Sequence, residues 1–146
     1  MQHNNDIYLV TADLGYGLWD QIKHDFPARF YNVGSSELAG LGICVGLAME
    51  NKLPYFYSIT PFALYRPFEI IRNYLDHECI KVNIVGGGRD KDYGYLGFSH
   101  WAEEDKQIMR CFKNIVCLHP QNNNDIVNDF NTTVSSKYPC YINLKK

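Results

Sequence analysis

Residues 29–49 read Arg-Phe-Tyr-Asn-Val-Gly-Ser-Ser-Glu-Leu-Ala-Gly-Leu-Gly-Ile-Cys-Val-Gly-Leu-Ala-Met, and the reading of this stretch decides the fold. Phe30 to Val33 is a short apolar run of strand type, Gly34 and Ser35 make a tight turn, and Glu37 opens a helix. Leu38, Leu41, Val45 and Ala48 recur at helical spacing and form the stripe expected to be buried. The other faces carry Ala39, Gly40, Gly42, Cys44 and Gly46, so the helix is apolar almost all round, as buried helices are. Each interior glycine costs a helix about 1 kcal/mol relative to alanine, which points to close approach by another backbone or a ligand. Glu37 is the exception. It is either a helix-start acid favoured by the macrodipole, or a buried acid kept protonated for proton chemistry.

The strand-then-helix pattern repeats on both sides of this stretch. Upstream, Ile7 to Val10 reads as a strand, followed by a helix with Leu18, Ile22 and Phe26 on one face that Pro27 ends. Downstream, Tyr55 to Ile59 is a strand. A helix beginning near Pro61 then carries Leu64, Phe68, Ile71 and Leu75, with Pro67 bending its early turns. Ile80 to Val85 is the fourth strand, and a glycine-rich, mobile loop is expected over Gly86 to Trp101. Glu103 to Phe112 reads as a helix, Ile115 to Leu118 as a strand, and Cys140 to Leu144 as the last strand. Before it, Asn124 or Asp125 caps a helix bearing Ile126, Phe130 and Val134. This alternation predicts one α/β domain over residues 1–146: a three-layer α/β/α arrangement with a mostly parallel six-stranded sheet and helices on both faces. Ligands in such sheets bind beyond the carboxyl ends of the strands, here the loops after Val10, Val33, Ile59, Val85 and Leu118.

Composition narrows the function classes. A net charge of −2 gives no electrostatic case for nucleic acid or membrane surfaces. No apolar run is long enough to span a bilayer, and residues 1–6 lack a signal-type pattern, so a cytoplasmic location is expected. The five cysteines include no C-x-x-C pair, which predicts neither a disulfide framework nor a protein-built metal site. Cys44, Cys117 and Cys140 lie in apolar runs and are expected to be buried.

Candidate site residues gather at the predicted strand ends. Asp13, beside Leu14, either binds a ligand or caps the next helix, and neither a G-x-G-x-x-G nor a P-loop is present. Ile59, Phe62 and Tyr65 stand at a strand-to-helix junction where aromatic rings stack on a flat ligand or serve as core. His100 closes the glycine-rich loop as a candidate general acid or base or a substrate contact.

Taken together, Thr-Ala-Asp-Leu at 11–14, Arg-Phe-Tyr-Asn-Val-Gly-Ser-Ser-Glu at 29–37 and Phe-Ala-Leu-Tyr-Arg-Pro-Phe-Glu-Ile-Ile-Arg at 62–72 carry a resemblance. Gly-Phe-Ser-His-Trp-Ala-Glu-Glu-Asp at 97–105 and Asn-Ile-Val-Cys-Leu-His-Pro at 114–120 extend it. In order and spacing they resemble the pyrimidine-binding domain of the transketolase family of thiamine diphosphate enzymes. The resemblance implies that Glu37 contacts a ring nitrogen of the cofactor's aminopyrimidine and supplies the proton that activates it. It implies that Phe62 lies against that ring, with Ile59 and Tyr65 completing its pocket and Asp13 and Leu14 close by. His100 matches a histidine that contacts the sugar substrate. Leu96 stands where many relatives carry an acid. The Gly-Asp-Gly signature that holds diphosphate and Mg2+ in the family does not occur here. The expectation is therefore half of an active site. A diphosphate-binding, N-terminal-section subunit would hold the Mg2+, within a homodimer or hetero-oligomer that performs two-carbon ketol transfer on a small sugar. The alternatives are a pyruvate-using relative such as a deoxyxylulose-phosphate synthase, and a non-catalytic or regulatory subunit with the same fold.

Overall fold

The computed structural model describes residues 1–146. Its centre is a six-stranded sheet in the order β2-β1-β3-β4-β6-β5, with every pairing parallel. The strands are β1 (Ile7–Thr11), β2 (Phe30–Asn32), β3 (Leu53–Ile59), β4 (Asn83–Gly87), β5 (Val116–Leu118) and β6 (Cys140–Leu144). Alternation along the strands builds two faces. Val10, Phe56, Ile84 and Tyr141 join the larger core, which α2 (Glu37–Met49), α3 (Thr60–Tyr65), α4 (Phe68–Ile70) and α5 (Asp105–Met109) cover with Leu41, Val45, Leu64 and Met109. Ile7, Leu9, Tyr55 and Tyr57 form a smaller cluster on the opposite face, under α1 (Asp20–Asp25) and α6 (Asn123–Ser135). There Trp19 meets Tyr57 edge-on at 5.1 Å and Phe130 stacks on Tyr55 at 5.7 Å. Between them an apolar cleft of about 350 Å³ stays open, on the face away from Glu37. No helix is long and apolar enough to cross a membrane.

The three-layer architecture is the one expected, and the departures are local. The first helix begins at Asp20, so Leu18 lies ahead of it and is exposed. The helix after β3 is broken where Pro67 removes a donor, and a π-helical stretch, Ile71–His77, restarts it. The fourth strand starts at Asn83 and takes in Gly86 and Gly87, which were expected in a loop. A side chain at Gly86 would meet Thr60 Oγ1 at 2.5 Å, so the absence of Cβ lets the start of α3 pack on β4. The following segment carries short 3-10 turns at Gly94–Leu96 and Phe98–His100. Buried Arg89 pins it, donating to Asn143 Oδ1 at 2.7 Å and to the Pro120 carbonyl at 2.9 Å. Asn143 in turn donates to buried Asp105 at 2.8 Å, as does Tyr141 at 2.9 Å, so a polar network anchors the segment carrying His100 at both ends. Asn122, not Asn124 or Asp125, caps α6, accepting from Asp125 N–H at 3.0 Å. Cys44 and Cys140 are buried, but Cys117 is exposed because β5 is an edge strand.

The stripe expected on α2 also needs one correction. Glu37, Gly40, Leu41, Cys44 and Val45 are the buried residues, while Leu38 is 54% exposed. At about 100° per residue, Leu38, Ala39, Gly42, Ile43, Gly46 and Met49 fall within one continuous arc of the helix. All six are exposed except the half-buried Gly42, and none is polar. Only Gly40 is demanded by packing within the chain, since a Cβ there would lie 2.7 Å from the Phe56 ring and 2.9 Å from Val33.

Candidate active site

In a sheet ordered β2-β1-β3, the chain leaves β1 in one direction for β2 and returns past it to β3. That reversal opens a crevice beyond the carboxyl ends of β1 and β3. A cleft of about 170 Å³ lies there, walled by Ala12, Asp13 and Leu14 after β1, by Ser35 and Glu37 ahead of and within α2, and by Ser58, Ile59, Phe62 and Arg66 around α3. Glu37, Asp13, Leu14, Ile59 and Phe62 are thus brought together from separate parts of the sequence.

Asn32 holds the cleft's two entry loops. Its Oδ1 accepts from Asp13 N–H at 3.1 Å and from Gly34 N–H at 3.0 Å, tying the β1 loop to the β2 turn. Asp13 itself adopts a left-handed backbone, φ 46°, and its exposed carboxylate accepts from the Tyr16 hydroxyl. It caps no helix, since α1 begins at Asp20. Thr11 Oγ1 donates to the Leu14 carbonyl at 2.9 Å, which sets Leu14 half-buried at the wall.

Glu37 is 3% exposed, on the arc of α2 that faces the sheet. The apolar surroundings expected for its carboxyl are incomplete. Arg66 Nη1 donates to Oε2 at 2.6 Å, and Ser58 Oγ reaches Oε1 at 3.4 Å. The Arg66 guanidinium also lies 3.9 Å from the centre of the Phe62 ring. On another side of Phe62, the His100 ring meets it edge-on at 4.9 Å, and Ser99 Oγ lies 3.0 Å from His100 Nδ1. Carboxyl and aromatic ring therefore share the cleft, while His100 reaches it only through its contact with Phe62 and is not among the residues that wall it.

Tyr65 stands apart from this group. It is 39% exposed and lines a neighbouring hollow with Phe98, Trp101 and Glu104, donating to Glu104 Oε2 at 3.2 Å. Burial first, and the Glu104 carboxylate second, push its phenol up to about 12. Leu96 is exposed on the outer turn and is not among the residues that wall the cleft. Sequence reasoning passed over Arg66, Ser58 and Asn32 as site residues. The spacing of Phe62 and Arg66, four apart across a helical turn, was the available signal for Arg66.

An aminopyrimidine fits what is present: a buried carboxyl to meet ring nitrogens and an aromatic side chain to stack on. No group of three or more His, Cys, Asp or Glu side chains comes together to hold a metal ion.

Comparison with known proteins bears on the fold. The family described as "Transketolase, pyrimidine binding domain" matches residues 1–146. The chain is 34% identical over 142 residues to a Methanocaldococcus jannaschii protein named "Putative transketolase C-terminal section", covering 97% of this chain and 45% of that one. It is 26% identical over 144 residues to the 6-deoxy-6-sulfo-D-fructose transketolase subunit SqwH of Clostridium sp. (strain MSTE9), covering 98% and 45%. Among solved structures it superposes on one titled "Split gene transketolase, inactive beta4 tetramer" with a TM-score of 0.84 and 29% identity, covering 99% of this chain and 46% of the other. The chain therefore spans under half the length of these relatives.

Proposed function

The chain belongs to the transketolase family through its pyrimidine-binding domain, and from that membership we propose that it supplies the aminopyrimidine half of a thiamine diphosphate site for ketol transfer between sugars. The observation that carries the proposal is a 3%-exposed carboxylate at the start of α2, across a strand-end cleft from Phe62. Glu37 receives a ring nitrogen of the aminopyrimidine and holds or gives the proton there. Phe62 stacks against the ring, and Ile59 and Leu14 exclude water from its edges. Asp13 stays at the mouth of the cleft, His100 contacts the sugar, and Tyr65 orders the segment that carries His100 through its bond to Glu104. When bound, the cofactor supplies the electron sink for carbon–carbon cleavage.

The diphosphate and Mg2+ belong to a second polypeptide in this reading, and the site closes where the two meet. Two relatives support a divided enzyme by their names, one a split-gene transketolase and one a transketolase subunit. The exposed, wholly apolar arc of α2 begins one residue after Glu37 and suits a contact between chains. The test is co-purification with a diphosphate-binding transketolase subunit, followed by a two-carbon transfer assay. Wild type turns over, and Glu37→Gln loses about 100-fold or more of kcat, as expected for removing a general acid–base group. An inert wild-type complex would favour a non-catalytic role.

A further inference from the structure

The two contacts expected of a bound aminopyrimidine are both made by one side chain of the protein itself. Arg66 donates to Glu37 Oε2 at 2.6 Å, and its guanidinium carbon lies 3.9 Å from the Phe62 ring centre. A guanidinium and an aminopyrimidine share the relevant chemistry. Both are planar, both present N–H donors in the ring or fork plane, and both offer a flat face to an aromatic side chain. The Arg66 side chain is 45% exposed, so it can leave, whereas the Glu37 side chain is 3% exposed and stays. A buried carboxylate without a donor is costly, so the position opposite Oε2 is filled in either state.

We propose that the Glu37–Phe62 cleft is a receptor for a planar N–H-donating group, that Arg66 is its resident occupant, and that a ligand enters by displacing it. This rests on the aminopyrimidine reading of the cleft. While Arg66 donates to Oε2, that oxygen cannot exchange a proton with a ring nitrogen, so the resident state is a closed one. Displacement frees a guanidinium at the rim, and an aminopyrimidine that enters protonated on a ring nitrogen gives Glu37 a replacement N–H donor in the same step. A cleft occupied by Arg66 for about nine-tenths of the time raises the apparent Kd of an entering ligand about tenfold.

The probe is 4-amino-2-methylpyrimidine, titrated into the full chain and followed by NMR of the Phe62 ring and the Arg66 guanidinium. Wild type is expected to bind it weakly, with the Arg66 signals moving to those of a free side chain. Arg66→Ala is expected to bind about tenfold more tightly. That variant should also take methylguanidinium in competition with the pyrimidine, and its melting temperature should rise when methylguanidinium is added. Arg66→Lys keeps a charge for Glu37 but loses the fork and the flat face, and its affinity should lie between the two. If Arg66→Ala does not fold, Arg66→Lys decides: tighter binding than wild type supports the proposal, and equal or weaker binding overturns it. Equal affinity of wild type and folded Arg66→Ala overturns the displacement and leaves the aminopyrimidine reading standing. Weaker binding by Arg66→Ala makes Arg66 a contact to the ligand and also overturns it. No binding by any folded form overturns the displacement, and the aminopyrimidine reading then stands or falls on the two-chain transfer assay.

Discussion

Glu37 stands out in the sequence because a carboxylate opens an otherwise apolar helix, and it is buried in the structure as one of the two readings required. Its partner was not legible. Arg66 stands in the sequence at the same strand-to-helix junction as Phe62, but only the fold brings it across 29 residues to the carboxyl. The Arg89–Asn143–Asp105 network was hidden for the same reason, since its hydrogen-bonded pairs lie 54 and 38 residues apart. One residue of this region has a pH consequence. His119 follows β5, packs edge-on against Tyr141 at 6.0 Å, and has a buried Nδ1 with no partner. Burial pulls its pKa below 6.5; the Asp105 carboxylate opposes this, Lys106 and Arg89 lower it further, and Asp129 opposes least. The unfolded chain therefore takes up this proton first as pH falls. The stabilisation is complete above about 6.5 and is lost as pH drops through the lower, folded value. Melting temperature should thus fall between about pH 7 and pH 5, and His119→Phe should shrink that fall, which calorimetry at several pH values would read.

At the scale of elements, the strands were legible because a parallel sheet covered on both faces reads as short continuous apolar runs, and β6 occupies Cys140–Leu144 as read. Two of the boundaries that moved did so where glycine or proline stands. Gly86 and Gly87 carry no hydrophobic signal yet extend β4, and Pro67 splits a helix whose apolar spacing runs straight through it. The α2 glycines, which the sequence could not separate, differ in what surrounds them. Gly40→Ala drives a methyl into Phe56 and Val33, both within 3 Å, and overpacking of this kind costs about 1–3 kcal/mol. Gly46→Ala meets nothing within 4 Å, and Gly42→Ala meets only Ile70 at 3.8 Å. Each should stabilise the chain on its own by about 0.5–1 kcal/mol through helix propensity. Urea denaturation of the three variants checks the sign at each position. A gain at 42 and 46 would show that nothing inside the chain requires glycine there.

At the scale of the whole molecule, that result would turn the question outward. The chain keeps two helix-weakening glycines beside exposed Leu38, Ile43 and Met49, on the one arc of α2 that its own core does not use. The apolar run that read as a fully buried helix is buried on one side only, because sequence cannot distinguish packing within a chain from packing between chains. If the arc is where the diphosphate-binding subunit docks, its substitutions should separate folding from assembly. Ile43 is 41% exposed, so Ile43→Asp should change the stability of the isolated chain by no more than about 0.5 kcal/mol. The same carboxylate facing an apolar partner would be buried without a counter-charge, and an interface core does not tolerate that. Ile43→Asp should therefore melt like wild type yet fail to co-elute with the diphosphate-binding subunit, and ketol transfer should be lost with the complex. Phe130→Ser, on the opposite face of the sheet, provides the control, since it removes apolar surface without touching the arc. Retained co-elution by Ile43→Asp would place the docking surface elsewhere on the molecule and leave the bare face of α2 without a role.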